Sequence, residues 1–345
     1  MTTEQPTPPA QRRGEAPAGR RTDLVLEGGG VKGIGLLGAI VTLAEHGYTF
    51  PRIAGTSAGA IVGALTAASQ RAGRPLTDLV ELMETLDYRR FADATLLDRF
   101  GPLGKGIELL WHDGIYKGDA ALSWISERLA ENGVRTWGDL RIDDDPGTSL
   151  PQDRRYRLVV TASDLSRGQL VRLPWDYDQY GLDADTQPVA PAVRASMSVP
   201  FFFRPVTLRA GQGLGENTLV DGGILSNFPI EIFDRTDERP SRWPTYGVKL
   251  SARRDARQVS HRVDGPVDLA LAALHTLMAA HDAYHLDDEH VTARTVFVDT
   301  DKVNGLDFGI DRDTQRRLYA TGRRAAETFL GRLPAARPTS QPSGS

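Results

Sequence analysis

The sequence of 345 residues contains no cysteine, which excludes disulfide bonds, thiolate nucleophiles and cysteine metal ligands. It also lacks any run of about 18 consecutive apolar residues, the length that a membrane-spanning helix requires. Positive charge is not in excess, because 41 Lys and Arg residues stand against 45 Asp and Glu residues. We therefore expect a cytoplasmic globular protein with no nucleic-acid partner.

Apolar residues are also scarce at both ends of the chain. Residues 1–22 are rich in Pro, Arg and Ala, and residues 333–345 in Pro and Ser. Such compositions cannot bury enough apolar surface to fold. The first stretch has no apolar segment between its arginines, so we do not interpret it as a secretory signal. The expected organisation is one folded domain over residues 23–332 between two disordered tails.

Between these tails, short apolar segments with strand character alternate with longer segments of helical periodicity. An apolar run at residues 24–26 precedes a helical repeat over residues 36–44, and residues 50–54 precede a second repeat from residue 58 to about 68. Alternation of this kind is typical of a parallel sheet covered by helices. We predict an α/β fold, a three-layer α/β/α sandwich with a mainly parallel central sheet.

One serine stands among small residues at the junction of the second strand and the second helix. The segment GTSAG places Gly55 and Gly59 two positions before and after Ser57. Glycines on both sides allow the strand and the helix to approach closely, and such a turn presents its central side chain at the carboxyl end of the sheet. The pattern predicts a nucleophile elbow with Ser57 as the nucleophile.

A glycine-rich turn follows the first strand. Its GGGVKG segment fits the G-x-G-x-x-G fingerprint of a dinucleotide site, but that site also needs an acidic residue at the end of the second strand, where this chain has Gly-Thr-Ser. Successive glycines can instead present backbone N–H groups to an oxyanion. The candidates for an oxyanion hole are Gly28, Gly29, Gly30 and Gly33, with Lys32 adding positive charge nearby.

A serine nucleophile needs a general base, and two sets of residues compete for that role. Asp221 follows a short apolar strand in the segment VDGG and precedes Gly222 and Gly223, although an Asp-Gly pair is also a common tight turn. The order Ser, Asp, His of the α/β-hydrolases is open as well. The histidines that follow Asp221 are His261, His275, His281, His285 and His290.

In this order, the motifs EGGGVKG, GTSAG and VDGG resemble those of the patatin-like phospholipases. The segments DGIYKGDAAL (residues 113–122) and RASMSVPFFFRPV (residues 194–206) are also similar to that family, and the likeness covers about residues 23–229. The resemblance implies a Ser57–Asp221 dyad without histidine, and an oxyanion hole in the glycine-rich turn. The family often has arginine at the position of Lys32.

The resemblance also implies a function, the hydrolysis of fatty-acyl esters of phospholipids or lysophospholipids without a metal ion or an organic cofactor. We expect such an enzyme to have a surface that touches a bilayer, in transient contact with a membrane, or that shelters an acyl chain. The mixture of aromatic, leucine and basic residues at 88–111 suits such contact as well as packing on the core. Two alternatives stay open, namely an α/β-hydrolase-type esterase with a Ser-Asp-His triad and a catalytically idle binding module.

One histidine motif raises the question of a metal site. HDAYH, residues 281–285, is similar to the zinc motif H-E-x-x-H with Asp in place of Glu, and it places two histidines on one helix face. The same face continues an apolar stripe of Leu271, Leu274 and Met278. Because such a stripe is typical of helix packing, we predict no metal site.

Overall fold

The structure, a computed structural model, describes residues 20–91, 116–142, 150–235, 241–250, 288–300 and 303–333, with single positions at 263, 269, 272 and 276. These ranges contain ten β-strands and seven α-helices. The strands are β1 Arg20–Arg21, β2 Asp23–Leu26, β3 Tyr48–Thr49, β4 Ile53–Gly55, β5 Leu158–Asp164, β6 Gln169–Leu173, β7 Val206–Arg209, β8 Glu216–Asp221, β9 Thr245–Lys249 and β10 Thr295–Phe297. The helices are α1 Gly33–Glu45, α2 Ala58–Arg71, α3 Asp78–Glu84, α4 Asp119–Ala130, α5 Val189–Ser196, α6 Glu289–Ala293 and α7 Arg312–Arg332.

Eight strands form the central sheet in the order β10-β9-β2-β4-β5-β8-β7, with β6 also paired to β5. The five strands from β10 to β5 run parallel to one another, whereas β6, β7 and β8 run antiparallel to their partners. β1 and β3 form a separate parallel pair. The predicted α/β fold with a mainly parallel sheet is therefore confirmed. The antiparallel part of the sheet is not evident from the sequence.

Helices flank this sheet. α2 packs against β4 and β5, α5 against β5 and β8, and α7 against β10. α1 and α7 approach each other closely because both carry glycine at the crossing: a β-carbon on Gly322 would lie 2.0 Å from the carbonyl oxygen of Gly35. One hydrophobic cluster extends from Leu24 in β2 to Phe329 in α7, so the described residues share a single core.

The sequence locates the main elements to within a few residues. The helices predicted at residues 36–44 and 58–68 are α1 and α2. β1 consists of Arg20 and Arg21, which precede the expected start of the domain at residue 23. α7 ends at Arg332, the last residue of the expected domain.

The turns after three strands meet at one edge of the sheet, which we call the carboxyl edge. β2 and β4 pair in parallel with Leu26 opposite Gly55, so their carboxyl ends lie side by side. Gly55 lies opposite Val160 of β5. β8 reaches the same edge from the opposite direction, because it runs antiparallel to β5 and ends with Asp221 opposite Ala162.

Candidate active site

Ser57 lies in the turn between β4 and α2 with a positive φ of 53°, a conformation that residues other than glycine rarely adopt. A β-carbon on Gly55 would lie 2.3 Å from the carbonyl oxygen of Gly59, and one on Gly59 would lie 2.3 Å from that of Leu26. Both flanking positions therefore require glycine. The chain makes a sharp and strained turn of the kind that a nucleophile elbow needs.

The backbone around Ser57 is held by residues of two neighbouring elements. The Ser57 N–H donates to Oγ of Ser196 at 2.8 Å, and the hydroxyl of Thr56 lies 2.6 Å from that of Thr161 in β5. α2 begins at Ala58, immediately after the serine. The partial positive charge of the helix N-terminus therefore favours negative charge beside the serine side chain.

Asp221 is fully buried at the end of β8. Its N–H donates to the carbonyl oxygen of Ser198 at 2.9 Å, and its Oδ1 accepts from the Gly223 N–H at 2.8 Å. A β-carbon on Gly222 would lie 2.6 Å from the carbonyl oxygen of Thr161. The first glycine of VDGG thus permits close packing on β5, and the second supplies a donor to the carboxylate.

Burial raises the pKa of the Asp221 carboxyl from 3.8 to about 7, because an apolar environment disfavours the charged form. The Gly223 N–H and the Ser57 hydroxyl oppose this rise in pKa. Asp221 Oδ2 nevertheless has no hydrogen bond of standard geometry within the described ranges, so the serine hydroxyl approaches the carboxyl without a formed hydrogen bond. An aspartate with a pKa near 7 accepts a proton at neutral pH far more readily than an ordinary one.

The segment RASMS, residues 194–198, forms hydrogen bonds to both candidate catalytic residues. Ser196 accepts the hydrogen bond from Ser57, and Ser198 accepts the one from Asp221. Arg194 is buried, and it donates to the hydroxyl of Ser198 and to backbone carbonyls just before α4. One guanidinium therefore fixes the segment against which both residues are placed.

The glycine-rich turn after β2 lies against the serine. A β-carbon on Gly28 would lie 3.1 Å from Cβ of Ser57. The Gly28 N–H is already used, because it donates to the carbonyl oxygen of Asn227 at 3.2 Å. The N–H groups of Gly29 and Gly30 have no acceptor in the part of the chain that the structure describes. These two groups are the candidate donors to an oxyanion beside the serine.

The remaining residues of this turn hold its shape. Gly30 has a φ of +57°, and a β-carbon there would lie 2.0 Å from the carbonyl oxygen of Gly305. The same oxygen accepts from the Val31 N–H at 2.9 Å. The N–H groups of Lys32 and Gly33 are bonded to carbonyl oxygens of the turn itself, so neither N–H is offered to a substrate.

Comparison with known proteins is consistent with this arrangement. A family model described as patatin-like phospholipase matches residues 24–234. This chain belongs to the patatin-like phospholipase family. It is 37% identical over 310 residues to the uncharacterised protein YqhO of Bacillus subtilis, a match that covers 89% of this chain and 97% of that protein. As a member of this family, the chain is a lipid acyl hydrolase.

Other relatives of this patatin-like enzyme are more distant. Lysophospholipase NTE1 of Eremothecium gossypii is 28% identical over 215 residues, which cover 62% of this chain and 11% of that protein. Among solved structures, VipD from Legionella pneumophila aligns with a TM-score of 0.48 and 19% identity over 92% of this chain and 67% of that chain.

Four supporting residues of the patatin-like site are not predicted individually from the sequence. They are Ser196, Ser198, Asn227 and Gly305. The first two lie in the RASMS segment, where the likeness to the family is a usable signal, and Asn227 follows VDGG closely. Gly305 lies in an irregular loop far along the chain, where no local pattern points to it.

Two histidines are described in this family member, and neither lies among the residues that hold Ser57 or Asp221. His290 is exposed in α6 and donates its N–H to Oδ1 of Asp288. His46 follows the last residue of α1, with Nε2 at 3.6 Å from a carboxylate oxygen of Glu327. The other histidines considered for a triad, His261, His275, His281 and His285, lie outside the described residues together with the HDAYH motif.

The described helices give no candidate for a membrane span, since none combines enough length with enough apolar character. Most of the mixed segment at 88–111 lies outside the described residues. Its first residues form a 3-10 turn, Tyr88–Phe91, in which Tyr88 and Phe91 are buried. These two aromatic residues therefore pack on the core.

Proposed function

We propose that this enzyme hydrolyses fatty-acyl esters of phospholipids or lysophospholipids through a Ser57–Asp221 dyad. The observation that carries the proposal is the convergence of a strained serine and a buried aspartate of raised pKa at the carboxyl edge. The RASMS segment that holds both residues supports their pairing. The named lysophospholipase among the relatives supports the substrate class.

In the first half of the reaction, Oγ of Ser57 attacks the ester carbonyl carbon and its proton passes to Oδ2 of Asp221. The N–H groups of Gly29 and Gly30 stabilise the charge that develops on the carbonyl oxygen. The tetrahedral intermediate then collapses and breaks the bond to the alcohol. The alcohol leaves with the proton from Asp221, and the acyl group stays on the serine.

In the second half, a water molecule gives a proton to Asp221 and attacks the acyl carbon. The same two N–H groups stabilise the second tetrahedral intermediate. Its collapse releases the fatty acid and returns the proton to Oγ of Ser57. The cycle balances with water as its only co-substrate, and the aspartate carries the proton in both directions.

An aromatic cluster supports the assignment of an acyl substrate. The rings of Tyr116, Phe203 and Phe308 have centroids 6.0 to 6.1 Å apart. Phe203 follows the RASMS segment, and Phe308 lies in the loop that holds the oxyanion turn. Tyr116 and Phe308 are half-buried, so they offer apolar surface between two supports of the site. Because such lipids reside in bilayers, the proposal includes transient contact with a membrane surface. It also includes a cytoplasmic location.

The nucleophile is tested with Ser57→Ala. We expect the variant to lose ester hydrolysis and labelling by a fluorophosphonate, while its circular dichroism stays unchanged. Ser126→Ala is the matched control, because Ser126 is an exposed serine on α4, and this variant should be labelled and active. Fluorophosphonate labelling that persists in Ser57→Ala would place the nucleophile elsewhere. Lipid profiling of wild type against mixed phospholipids and lysophospholipids then identifies the substrate.

The dyad is separated from a Ser-Asp-His triad by single Ala substitutions of the five histidines that follow Asp221. A triad depends on its imidazole, because the histidine moves the proton in both directions. Under the dyad proposal each folded variant keeps kcat within a few-fold of wild type. A folded histidine variant whose kcat falls by orders of magnitude would exclude the dyad.

A further inference from the structure

A buried ion pair lies directly behind the oxyanion turn and takes no part in the proton transfers. Glu27 follows the last residue of β2, and Lys249 ends the neighbouring strand β9. Both residues are at least 96% buried. The Lys249 ammonium donates to Oε1 of Glu27, and the N–H of Leu250 donates to Oε2 of Glu27. The pair thus ties the end of β9 to the residue that precedes the first glycine of the turn.

The pair reaches one support of the turn through Leu250. A β-carbon on Gly29 would lie 2.5 Å from Cδ1 of Leu250, so this leucine packs directly behind the glycine that offers a candidate donor. The carbonyl oxygen of Leu250 accepts from the hydroxyl of Thr300. Glu27 therefore fixes the backbone of the residue against which the turn rests.

The pair reaches a second support through Phe228. The Lys249 ammonium lies 5.1 Å from the centroid of the Phe228 ring. The preceding residue, Asn227, holds Gly28 with two hydrogen bonds, one from the Gly28 N–H to its carbonyl oxygen and one from its Nδ2 to the Gly28 oxygen, both at 3.2 Å. Displacement of the ammonium would consequently disturb the segment that holds the start of the turn.

Stability alone gives little reason for a buried ion pair at this place. Desolvation of two charges offsets most of their attraction, and apolar residues of similar volume often stabilise a fold equally well. Charge-assisted hydrogen bonds do, however, impose a defined geometry on the groups that they join. A backbone N–H donor in an oxyanion hole needs a well-defined position, because its effect depends on its distance from the developing charge.

We infer that Glu27 and Lys249 are a positioning pair that aligns the N–H groups of Gly29 and Gly30 with the oxyanion formed at Ser57. The inference rests on the proposed function. Neither side chain takes up or releases a proton in the cycle. Their role is to keep the glycine-rich turn in place through Leu250 on one side and through Phe228 and Asn227 on the other.

The inference is tested with Glu27→Gln, which keeps the size of the side chain and removes its charge. We expect kcat to fall about 10- to 100-fold while KM changes less than about twofold, because the oxyanion donors act mainly in the transition state. The affinity for a long-chain alkyl trifluoromethyl ketone, whose serine adduct carries an oxyanion, should weaken by the same factor as kcat/KM. A merely structural role would leave this affinity and kcat unchanged in the folded protein.

Asp23→Asn is the matched control, since Asp23 belongs to another buried ion pair at the opposite end of β2. It should lower stability and leave kcat and ketone affinity unchanged. If Glu27→Gln folds poorly, the double variant Glu27→Gln/Lys249→Met removes both charges and should recover stability without recovering kcat. Recovery of kcat together with stability would overturn the inference.

The outcome is distinguishable from a failure of the proposed function. Fluorophosphonate labelling of Ser57 in wild type is measured first, and the absence of labelling would contradict the proposed Ser57–Asp221 dyad. Labelling of Ser57 together with an unchanged kcat in Glu27→Gln would overturn only the positioning pair.

Discussion

Asp23 and Asp221 are two buried aspartates of the same sheet, and they lie at opposite edges of it. Asp23 begins β2 at the edge where the parallel strands start, the amino edge, and its Oδ2 accepts from Nε of Arg52 at 3.0 Å. Asp221 lies at the carboxyl edge, where no cation of the described ranges contributes to its pKa. Burial raises the pKa of both carboxyls, but a guanidinium opposes the rise only at Asp23.

The backbone conformation also differs between the carboxyl edge and the amino edge. At the carboxyl edge Ser57 has a φ of 53°, and Phe201, just after the RASMS segment, has a φ of 70°. At the amino edge the positive φ after α1 belongs to Gly47, which has open space around it. Two of the three described non-glycine residues with a positive φ thus lie at the site or just after the RASMS segment, and the third, Gln212, is exposed in the loop between β7 and β8. Strained backbone at a site is typical of functional geometry.

The comparison shows how one sheet combines stability with reactivity. An aspartate whose carboxyl oxygen accepts hydrogen bonds from a buried guanidinium has that oxygen occupied, so it is a poor proton acceptor. An aspartate without a charged partner destabilises the folded protein at neutral pH, but its raised pKa makes it a useful proton acceptor. The two properties conflict at one site, and the chain places them at opposite edges of the sheet.

The largest expected effect comes from replacing each of the two carboxyls by an amide in turn. Asp221→Asn keeps the shape of the side chain and removes the base, so kcat should fall on the order of 10⁴-fold. Asp23→Asn should leave kcat unchanged and reduce the free energy of unfolding by about 3 to 5 kcal/mol, because the buried Arg52 loses its partner. Steady-state hydrolysis and urea titration of both variants measure these effects.

Stability should change in opposite directions in the two variants. The folded-state pKa of Asp221 lies above its ordinary value of 3.8, at about 7, so the folded protein retains a proton that the unfolded chain has lost. The contribution of Asp221 to the free energy of unfolding therefore falls as pH rises from about 4 to 7, by up to about 4 kcal/mol. Asp221→Asn should be more stable than wild type above pH 7. A variant that is less stable there would contradict the comparison.

A smaller effect is expected from two glycines with similar backbone conformation. Gly30 has a φ of +57° and Gly73 a φ of +65°, so alanine introduces comparable backbone strain at both positions. Only at Gly30 would the new β-carbon meet a backbone atom, the Gly305 oxygen at 2.0 Å, whereas Gly73 has nothing within 4 Å. Gly30→Ala should lower kcat about 10²-fold by displacing an oxyanion donor. Gly73→Ala should lower only stability, and equal kcat values would mean that the turn serves packing alone.

Much of the carboxyl edge is predictable from the sequence because its signals are local. GTSAG, EGGGVKG and VDGG are short segments in which the spacing of small residues reflects a turn geometry. The structure places the first two at the ends of adjacent parallel strands, as the strand–helix alternation predicts. The individual chemical roles of Ser57, Asp221 and the glycines stay predictions.

The supports of the site are less predictable because they join segments distant in the sequence. Gly305 contacts Gly30, and Lys249 bonds to Glu27, although more than 200 residues separate the members of each pair. Periodicity reports only which face of an element is apolar. The antiparallel direction of β8, which brings Asp221 to the carboxyl edge, likewise depends on pairing with β5 and not on a local pattern.

The smallest expected effect is a pH dependence of wild type that an ordinary aspartate would not give. Asp221 acts as a base only when ionised, and its pKa is raised to about 7. The value of kcat/KM should therefore fall about tenfold per pH unit below 7 and become constant above about 8. An aspartate with the pKa of a solvent-exposed group would give constant activity above about pH 5. The profile is measured with a soluble short-chain ester, and circular dichroism verifies that the protein stays folded.

A histidine would give a similar curve at one temperature, so the profile is repeated at several temperatures. The pKa of a carboxyl changes little with temperature, whereas that of an imidazole falls clearly on warming. We expect the midpoint to stay near 7 in wild type and in each histidine variant. A midpoint that moves down on warming, or that disappears in one histidine variant, would assign the titration to an imidazole. Constant activity down to pH 5 would instead show that the Asp221 carboxyl is stabilised in its charged form, and the contrast with Asp23 would fail.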